Sequence, residues 1–217
     1  MLPKGAAFAT GPQGQEAMIG QLIEKIKRNV KKDEHHMFII TGYSRGCFTA
    51  TNQRVLELLK EKGAKKVVYI LLDPVHGLFN GKGGYIELSE TQIPAIDGVE
   101  VHSYAIISSG NHQSALANHA ESTVLPKAAN LFAGADNRFM CQGNHLQVPE
   151  NEDVELLIRL VKYEQVDNDR DKANEVREIL LNQHRSLFSD KTTTENAYLA
   201  TCENLDPKLN PFNYLIP

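Results

Sequence analysis

The chain has no tryptophan, only three cysteines and four methionines in 217 residues, and no surplus of basic charge. Cys47, Cys141 and Cys202 are odd in number and lack a Cys-x-x-Cys spacing, which argues against a disulfide scaffold and fits a reducing compartment. With 23 Lys and Arg against 27 Asp and Glu, the net charge is −4. Nothing is left over to neutralise a run of phosphates, so no nucleic-acid partner is expected. No run of about 18 apolar residues occurs, which excludes an ordinary transmembrane helix. The opening Met-Leu-Pro-Lys-Gly-Ala-Ala-Phe has no long apolar region behind basic residues, so no cleavable signal is readable. A soluble chain is expected.

What is present is ordinary globular material. Hydrophobic residues make up 41% of the chain, enough for a real core. Helical and strand patterns alternate, which predicts an α/β fold with a mainly parallel sheet wound on both faces. Residues 15–32 carry Met18, Ile19, Leu22, Ile23, Ile26 and Val30 at helical spacing. Met37-Phe38-Ile39-Ile40 reads as a strand buried on both faces. A helix is expected over 47–62, stopped by Gly63. Val67–Leu72 is the clearest strand, ending at Asp73-Pro74. The Gly-rich stretch 76–98 reads as an excursion above the sheet. Strand character returns at Val99–Ile107 and at Arg138–Gln142, around a partly helical stretch at 113–131. A last core helix has Val154, Leu157, Ile158 and Val161 on one side.

Composition changes near residue 165. The expected division is a core over 1–165, then a charged linker, an amphipathic helix and an irregular tail over 166–217. The stripe Val176, Ile179, Leu180, Leu187 and Phe188 is expected to dock on its own domain.

The informative segment is Gly42-Tyr43-Ser44-Arg45-Gly46, set between a buried strand and a helix. A G-x-S-x-G in that context is a nucleophile elbow. So tight a turn forces Ser44 into a strained backbone and exposes its Oγ. Gly42 and Gly46 are expected because a Cβ at either place would strike a neighbouring element. The Arg45 N–H, at the head of the helix, is then aimed at a developing oxyanion. The competing reading is a Gly-rich loop that binds phosphate, but the segment lacks the Lys-Ser/Thr continuation of a Walker A loop.

An elbow serine needs a base and an orienting acid, because a free hydroxyl is hardly ionised at neutral pH. In this fold they follow in the order serine, acid, histidine. Asp73 caps the next strand, and His145 sits in Gly143-Asn144-His145 after the last recognisable one. Both positions are where open α/β sheets carry their sites. Asp73 competes with a simple Asp-Pro turn, with Asp136 and Glu121 in reserve. His145 is preferred over His35, His36, His76, His112 and His119 by position. No H-E-x-x-H occurs and His112 and His119 are seven apart, so neither a metal nor another cofactor is expected. Cys47 and Cys141 fall at core positions and read as apolar fillers.

Gly42-Tyr-Ser-Arg-Gly46 followed by Cys47-Phe-Thr-Ala, then Leu-Leu-Asp73-Pro-Val, then Gly143-Asn-His145, resembles the α/β-hydrolases whose elbow reads Gly-Phe-Ser-Arg-Gly-Ala. That group includes lipase effectors of type VI secretion systems. The resemblance spans roughly residues 36–148 in three short motifs, with Tyr43, Cys47 and Pro74 departing from the pattern. It implies a serine esterase or phospholipase with Ser44, His145 and Asp73 as triad. The substrate would be a small-molecule or lipid ester, and the location cytoplasmic, or outside the cell after export without a cleavable signal. Only 43 residues precede Ser44, so either the sheet is reduced at its start or the chain is a C-terminal portion of a longer protein. The second oxyanion donor would come from the Gly11-Pro-Gln-Gly14 turn after a short Ala6–Ala9 strand. With one donor alone, the expectation turns to a catalytically inactive hydrolase-fold scaffold or binding protein.

Overall fold

Seven residues of Lys66–Leu72 alternate cleanly between two faces, and that alternation sets the architecture. The computed structural model describes residues 12–73, 78–79, 85–86, 93–108, 137–141 and 147–189. Helix α1 (Pro12–Asn29) leads to strand β1 (Met37–Tyr43), then to α2 (Gly46–Ala50), α3 (Gln53–Glu61) and β2 (Lys66–Leu72). A two-stranded antiparallel ribbon, β3 (Leu78–Phe79) and β4 (Tyr85–Ile86), lies within the expected excursion. Strands β5 (Glu100–Ser108) and β6 (Asn137–Cys141) complete a parallel sheet of order β1-β2-β5-β6. A 3-10 turn (Val148–Glu150) precedes α4 (Glu152–Val161), a wide π-type turn (Lys162–Asp167) and α5 (Arg170–Ser189).

The described fold is therefore α/β, with helices on both faces of a parallel sheet. Val67, Tyr69 and Leu71 pack under α1, α2 and α3 with Ile19, Ile26, Val55, Leu56 and Leu59. Val68, Ile70 and Leu72 face the other way, with Tyr104, Ile106 and Phe139, against Leu157, Leu160, Val176 and Leu180. Each such side chain, fully buried, contributes about 1.5–3 kcal/mol.

Local chemistry explains the boundaries. Gly63, at φ 101°, closes α3: its N–H reaches the Lys60 carbonyl at 2.9 Å and Ala64 N–H reaches Leu59 at 3.0 Å. The single helix expected over 47–62 is two helices. Thr51 Oγ1 donates to the Cys47 carbonyl at 2.8 Å, and the Asn52 side chain accepts from Arg54 N–H to start α3 afresh.

Three other expectations need correcting. β1 is not buried on both faces. Its described partner is β2 alone, and Ile39 is 45% exposed, because Phe38 and Ile40 turn to the α1–α3 layer while α4 and α5 lie over β5 and β6. Ile158 is 50% exposed, and Leu160 takes the core place beside Leu157. Ile179 is 46% exposed, whereas Val176 and Leu180 of the same stripe are buried.

Residues past 165 share the core. Ala173, Val176 and Leu180 of α5 are buried against the sheet. The charged π-type turn is tied to β5: the Tyr104 hydroxyl donates to Glu164 at 2.5 Å and Gln165 Nε2 donates back to it at 2.7 Å. Arg177 of α5 pairs with Glu164. No described helix is long and apolar enough to cross a membrane.

One core group is at odds with its surroundings. Tyr69 is fully buried, and its hydroxyl has no hydrogen-bond partner among the described residues. Burial also raises that phenol far above its ordinary pKa. An unsatisfied buried hydroxyl costs about 1–3 kcal/mol. Tyr69→Phe keeps the ring and removes the cost, so thermal unfolding should shift upward by roughly 2–4 °C. A downward shift would show that the hydroxyl is paired after all.

Candidate active site

β1 delivers the chain to its carboxyl end at Tyr43, and the next residue turns sharply. Ser44 has φ 54°, the left-handed region that a side chain ordinarily avoids, and is half-buried. Its N–H adds one more rung to the ladder, donating to the Leu72 carbonyl at 2.9 Å. Its own carbonyl accepts from Cys47 N–H at 3.1 Å, so the chain enters α2 at once. Holding a serine this way costs about 1–3 kcal/mol, a strain typical of functional turns.

Gly42 is what makes the turn possible. A Cβ there would stand 2.6 Å from Cys47 Cα, 2.8 Å from Cys47 N and 2.9 Å from the Gly46 carbonyl. All three are backbone atoms and cannot step aside. Gly46 differs from expectation: among the described residues, a Cβ there would meet nothing within 4 Å. Gly42→Ala should therefore cost about 3 kcal/mol or more and lower the unfolding temperature by roughly 6–12 °C. Gly46→Ala should be neutral or slightly stabilising. Equal effects in thermal unfolding would contradict this geometry.

Arg45 is right-handed (φ −62°, ψ −21°) and stands at the N-cap of α2, its carbonyl accepting from Phe48 N–H at 3.1 Å. The first turn of α1 is fastened beside it: buried Gln15 donates through Nε2 to Thr49 Oγ1 of α2 at 3.0 Å. Glu16 pairs with Arg54 of α3 on the surface.

Asp73 occupies the matching position one strand over. It too is left-handed, at φ 41°, and its N–H extends the β2–β5 ladder to the Ile106 carbonyl at 2.8 Å. It is 5% exposed. Its charge is felt on three sides. Burial, then Asp73, then Cys47 raise the Tyr43 phenol. Burial drives the Cys47 thiol well above its usual range, and Asp73 adds to that effect. The Cys141 thiol, at the end of β6, is pushed up to about 12 by burial, then by Asp153 and Asp73. Asp73 thus stands among the residues flanking Ser44 and the last residue of β6.

The two described cysteines are fully buried, as expected of fillers. Cys47 Sγ donates to the Leu72 carbonyl at 3.6 Å, the same oxygen that receives Ser44 N–H. Both thiols stay protonated near neutral pH and are poor nucleophiles.

His145 lies outside the described residues, as do His76, His112, His119, Asp136, Glu121, Pro74 and residues 1–11, which include the Ala6–Ala9 strand and Gly11. The partly helical stretch at 113–131 lies outside them as well. Three histidines can be placed. His35 and His36 precede β1, at the opposite end of the sheet, where His36 Nδ1 lies 3.0 Å from the Gly63 carbonyl. His102, near the start of β5, lies 2.5 Å from Glu100. The eight steps from His36 to Ser44 measure roughly 26 Å in extended chain, so neither His35 nor His36 can serve Ser44. Among the described residues no group of three His, Cys, Asp or Glu side chains could hold a metal ion.

Sequence reasoning missed Asp153. It is 7% exposed in the first turn of α4, and it acts on the Cys141 thiol alongside Asp73. Within Glu152-Asp153-Val154 nothing but its step on the helix distinguishes it from its exposed neighbour. No family model, curated protein or solved structure matches the chain.

Proposed function

We propose that this chain is a serine hydrolase of α/β-hydrolase type, cleaving a carboxylic ester, lipid and phospholipid esters included, through an acyl-Ser44 intermediate. The observation that carries the reading is Ser44 itself: a left-handed serine between a parallel strand and a helix, over a glycine pressed onto the helix backbone. A loop that merely joins a strand to a helix has no need of that strain.

In this mechanism His145 takes the Ser44 proton as Oγ attacks the ester carbonyl, then returns it to the departing alcohol. Asp73 fixes the ring tautomer and stabilises the imidazolium. The Arg45 N–H supports the oxyanion, and the start of α1, where a turn at 11–14 was expected, supplies the second donor. Gln15 supports that assignment, since its bond to Thr49 holds the start of α1 against the elbow helix. Water then releases the acid by the same steps.

Chain geometry permits the histidine to arrive. β6 lies three strands from β1, roughly 14 Å at ordinary spacing. Four residues from Cys141 to His145 extend about 13–14 Å, before the imidazole adds its own length. The placed histidines stand elsewhere, which narrows the field in favour of His145. The three-motif resemblance points the same way.

The test is turnover of short- and medium-chain p-nitrophenyl esters by the purified chain between pH 6 and 9. A burst of nitrophenol close to one equivalent, followed by slower steady release, is expected of an acyl-enzyme. No release above the buffer blank would leave a hydrolase-like scaffold without turnover.

A further inference from the structure

Among the described residues β1 ends the sheet, with β2 on one side and an open edge on the other. The direction of its backbone groups can be read from its two ends. The His36 carbonyl accepts from Lys66 N–H at 3.0 Å, and Ser44 N–H donates to the Leu72 carbonyl at 2.9 Å. Both bonds point at β2, and along a strand alternate residues turn their N–H and C=O to opposite sides. Phe38, Ile40 and Gly42 therefore serve β2, while Met37, Ile39 and Thr41 present their backbone groups to the open edge.

Open edges are ordinarily guarded by a charged side chain, a proline, a bulge or a covering segment. Met37-Phe38-Ile39-Ile40-Thr41-Gly42-Tyr43 has no charge and no proline, and its register with β2 runs unbroken through all seven residues. Ile39 is 45% exposed and Thr41 is exposed as well. The charges lie just outside the strand, and their signs differ at its two ends. Exposed Asp33 and Glu34 come before it and half-buried Arg45 after it. None of these three has an ion pair among the described residues.

A two-fold pair needs a strand whose pattern complements its own reverse. β1 set antiparallel on the β1 of a second copy, with Ile39 on Ile39, meets that condition. Met37 then lies opposite Thr41, so the residues brought face to face are those whose backbone groups are open. In the same register residue 45 of each copy comes level with residue 33 of the other, and residue 44 with residue 34. The cation at one end meets the acids at the other, once on each side of the axis. Lys31 and Lys32 fall level with residues past the turn at Ser44, beyond the paired stretch. We propose that β1 is a dimer interface between two copies of this chain, joining two four-stranded sheets into one of eight through Ile39, with Arg45 of each copy paired to the Asp33-Glu34 corner of the other. Met37–Ile40, an apolar run of the kind that interior strands carry, then lies inside a sheet. This holds whether or not the chain is a hydrolase. One strand's edge buries less than the roughly 1,200 Å² at which stable interfaces begin, so the copies should exchange, with a dissociation constant on the order of 10 µM.

Sedimentation of the purified chain from about 1 to 200 µM should show monomer giving way to dimer. Ile39→Lys sets two like charges against each other on the axis and should weaken association more than about tenfold. Unfolding of the dilute monomer should not change, because that side chain is already half exposed. Arg45→Glu should weaken association by about threefold to tenfold, and adding Glu34→Arg should restore it. Ile39→Cys, in a chain with Cys202→Ser, should give a disulfide-linked dimer under a mild oxidant. Paired residues that exchange both hydrogen bonds stand about 5.5 Å apart at Cα, within disulfide reach. Amide exchange at Ile39 and Thr41 should slow as concentration rises, while Phe38 and Ile40 are slow throughout. A chain monomeric over the whole range, or a dimer indifferent to Ile39→Lys, overturns the proposal. So does slow exchange of Ile39 and Thr41 in the dilute monomer, which would give the edge to a segment of the same chain.

Discussion

Ser44→Ala is expected to abolish ester hydrolysis, with a loss of roughly a million-fold in kcat, the scale seen when an activated serine is removed from a triad. The effect should be purely chemical. Alanine and serine bear the same strain at φ 54°, and the bonds that set the turn are made by backbone N–H and carbonyl groups. The unfolding temperature should therefore move by no more than a few degrees. Cys47 offers no rescue, because its thiol is buried, donates to Leu72 and is held protonated. Residual hydrolysis within tenfold of the wild type would mean that the reacting group lies elsewhere.

The second large effect separates the histidines. His145→Ala should cost several orders of magnitude in kcat, because Ser44 Oγ would then lose its proton acceptor. His112→Ala should leave kcat and KM within about twofold. The contrast is worth measuring because five histidines, 76, 112, 119, 145 and 184, lack a described ring position, while 35, 36 and 102 are placed away from the elbow. Comparable losses in both variants would remove the basis for assigning the base. Activity lost in His112→Ala alone would move it.

Much of this arrangement was legible in the residues. Val67–Leu72 is β-branched and aliphatic apart from Tyr69, is bounded by Gly63 and Asp73, and folds as a strand from Lys66 to Leu72. Gly63 stops α3 because only a glycine is at ease at φ 101°. The sharp turn at Ser44 was legible because its geometry is local: a strand, five residues and a helix contain the turn's requirements, and Gly42 meets them. Gly46 fits the pattern without being required by it, since the constraint at that position depends on what packs above α2.

What was illegible depends on distant neighbours. Met37–Ile40 is a short apolar run, and periodicity alone does not distinguish a central strand from one covered on a single side. Ile39 is exposed because α4 and α5 stop short of β1, a fact absent from residues 37–40. The break at Thr51-Asn52 was hidden because Thr51 continues the apolar rhythm while its hydroxyl bonds back to Cys47. The charged character of residues past 165 suggested a linker, yet Arg177 there pairs with Glu164, which in turn accepts from Tyr104 of β5. Asp153 was missed as well. Its burial follows from the packing of α4 on the sheet, a contact no motif records.

The most direct measurement is reaction of the purified chain with a fluorophosphonate, followed by peptide mass mapping across pH 6 to 9. One phosphonyl adduct per chain, on the peptide holding Gly42 to Gly46 and absent from Ser44→Ala, is the expected result. A protein that hydrolyses esters yet stays unmodified, or carries its adduct on another residue, would contradict it.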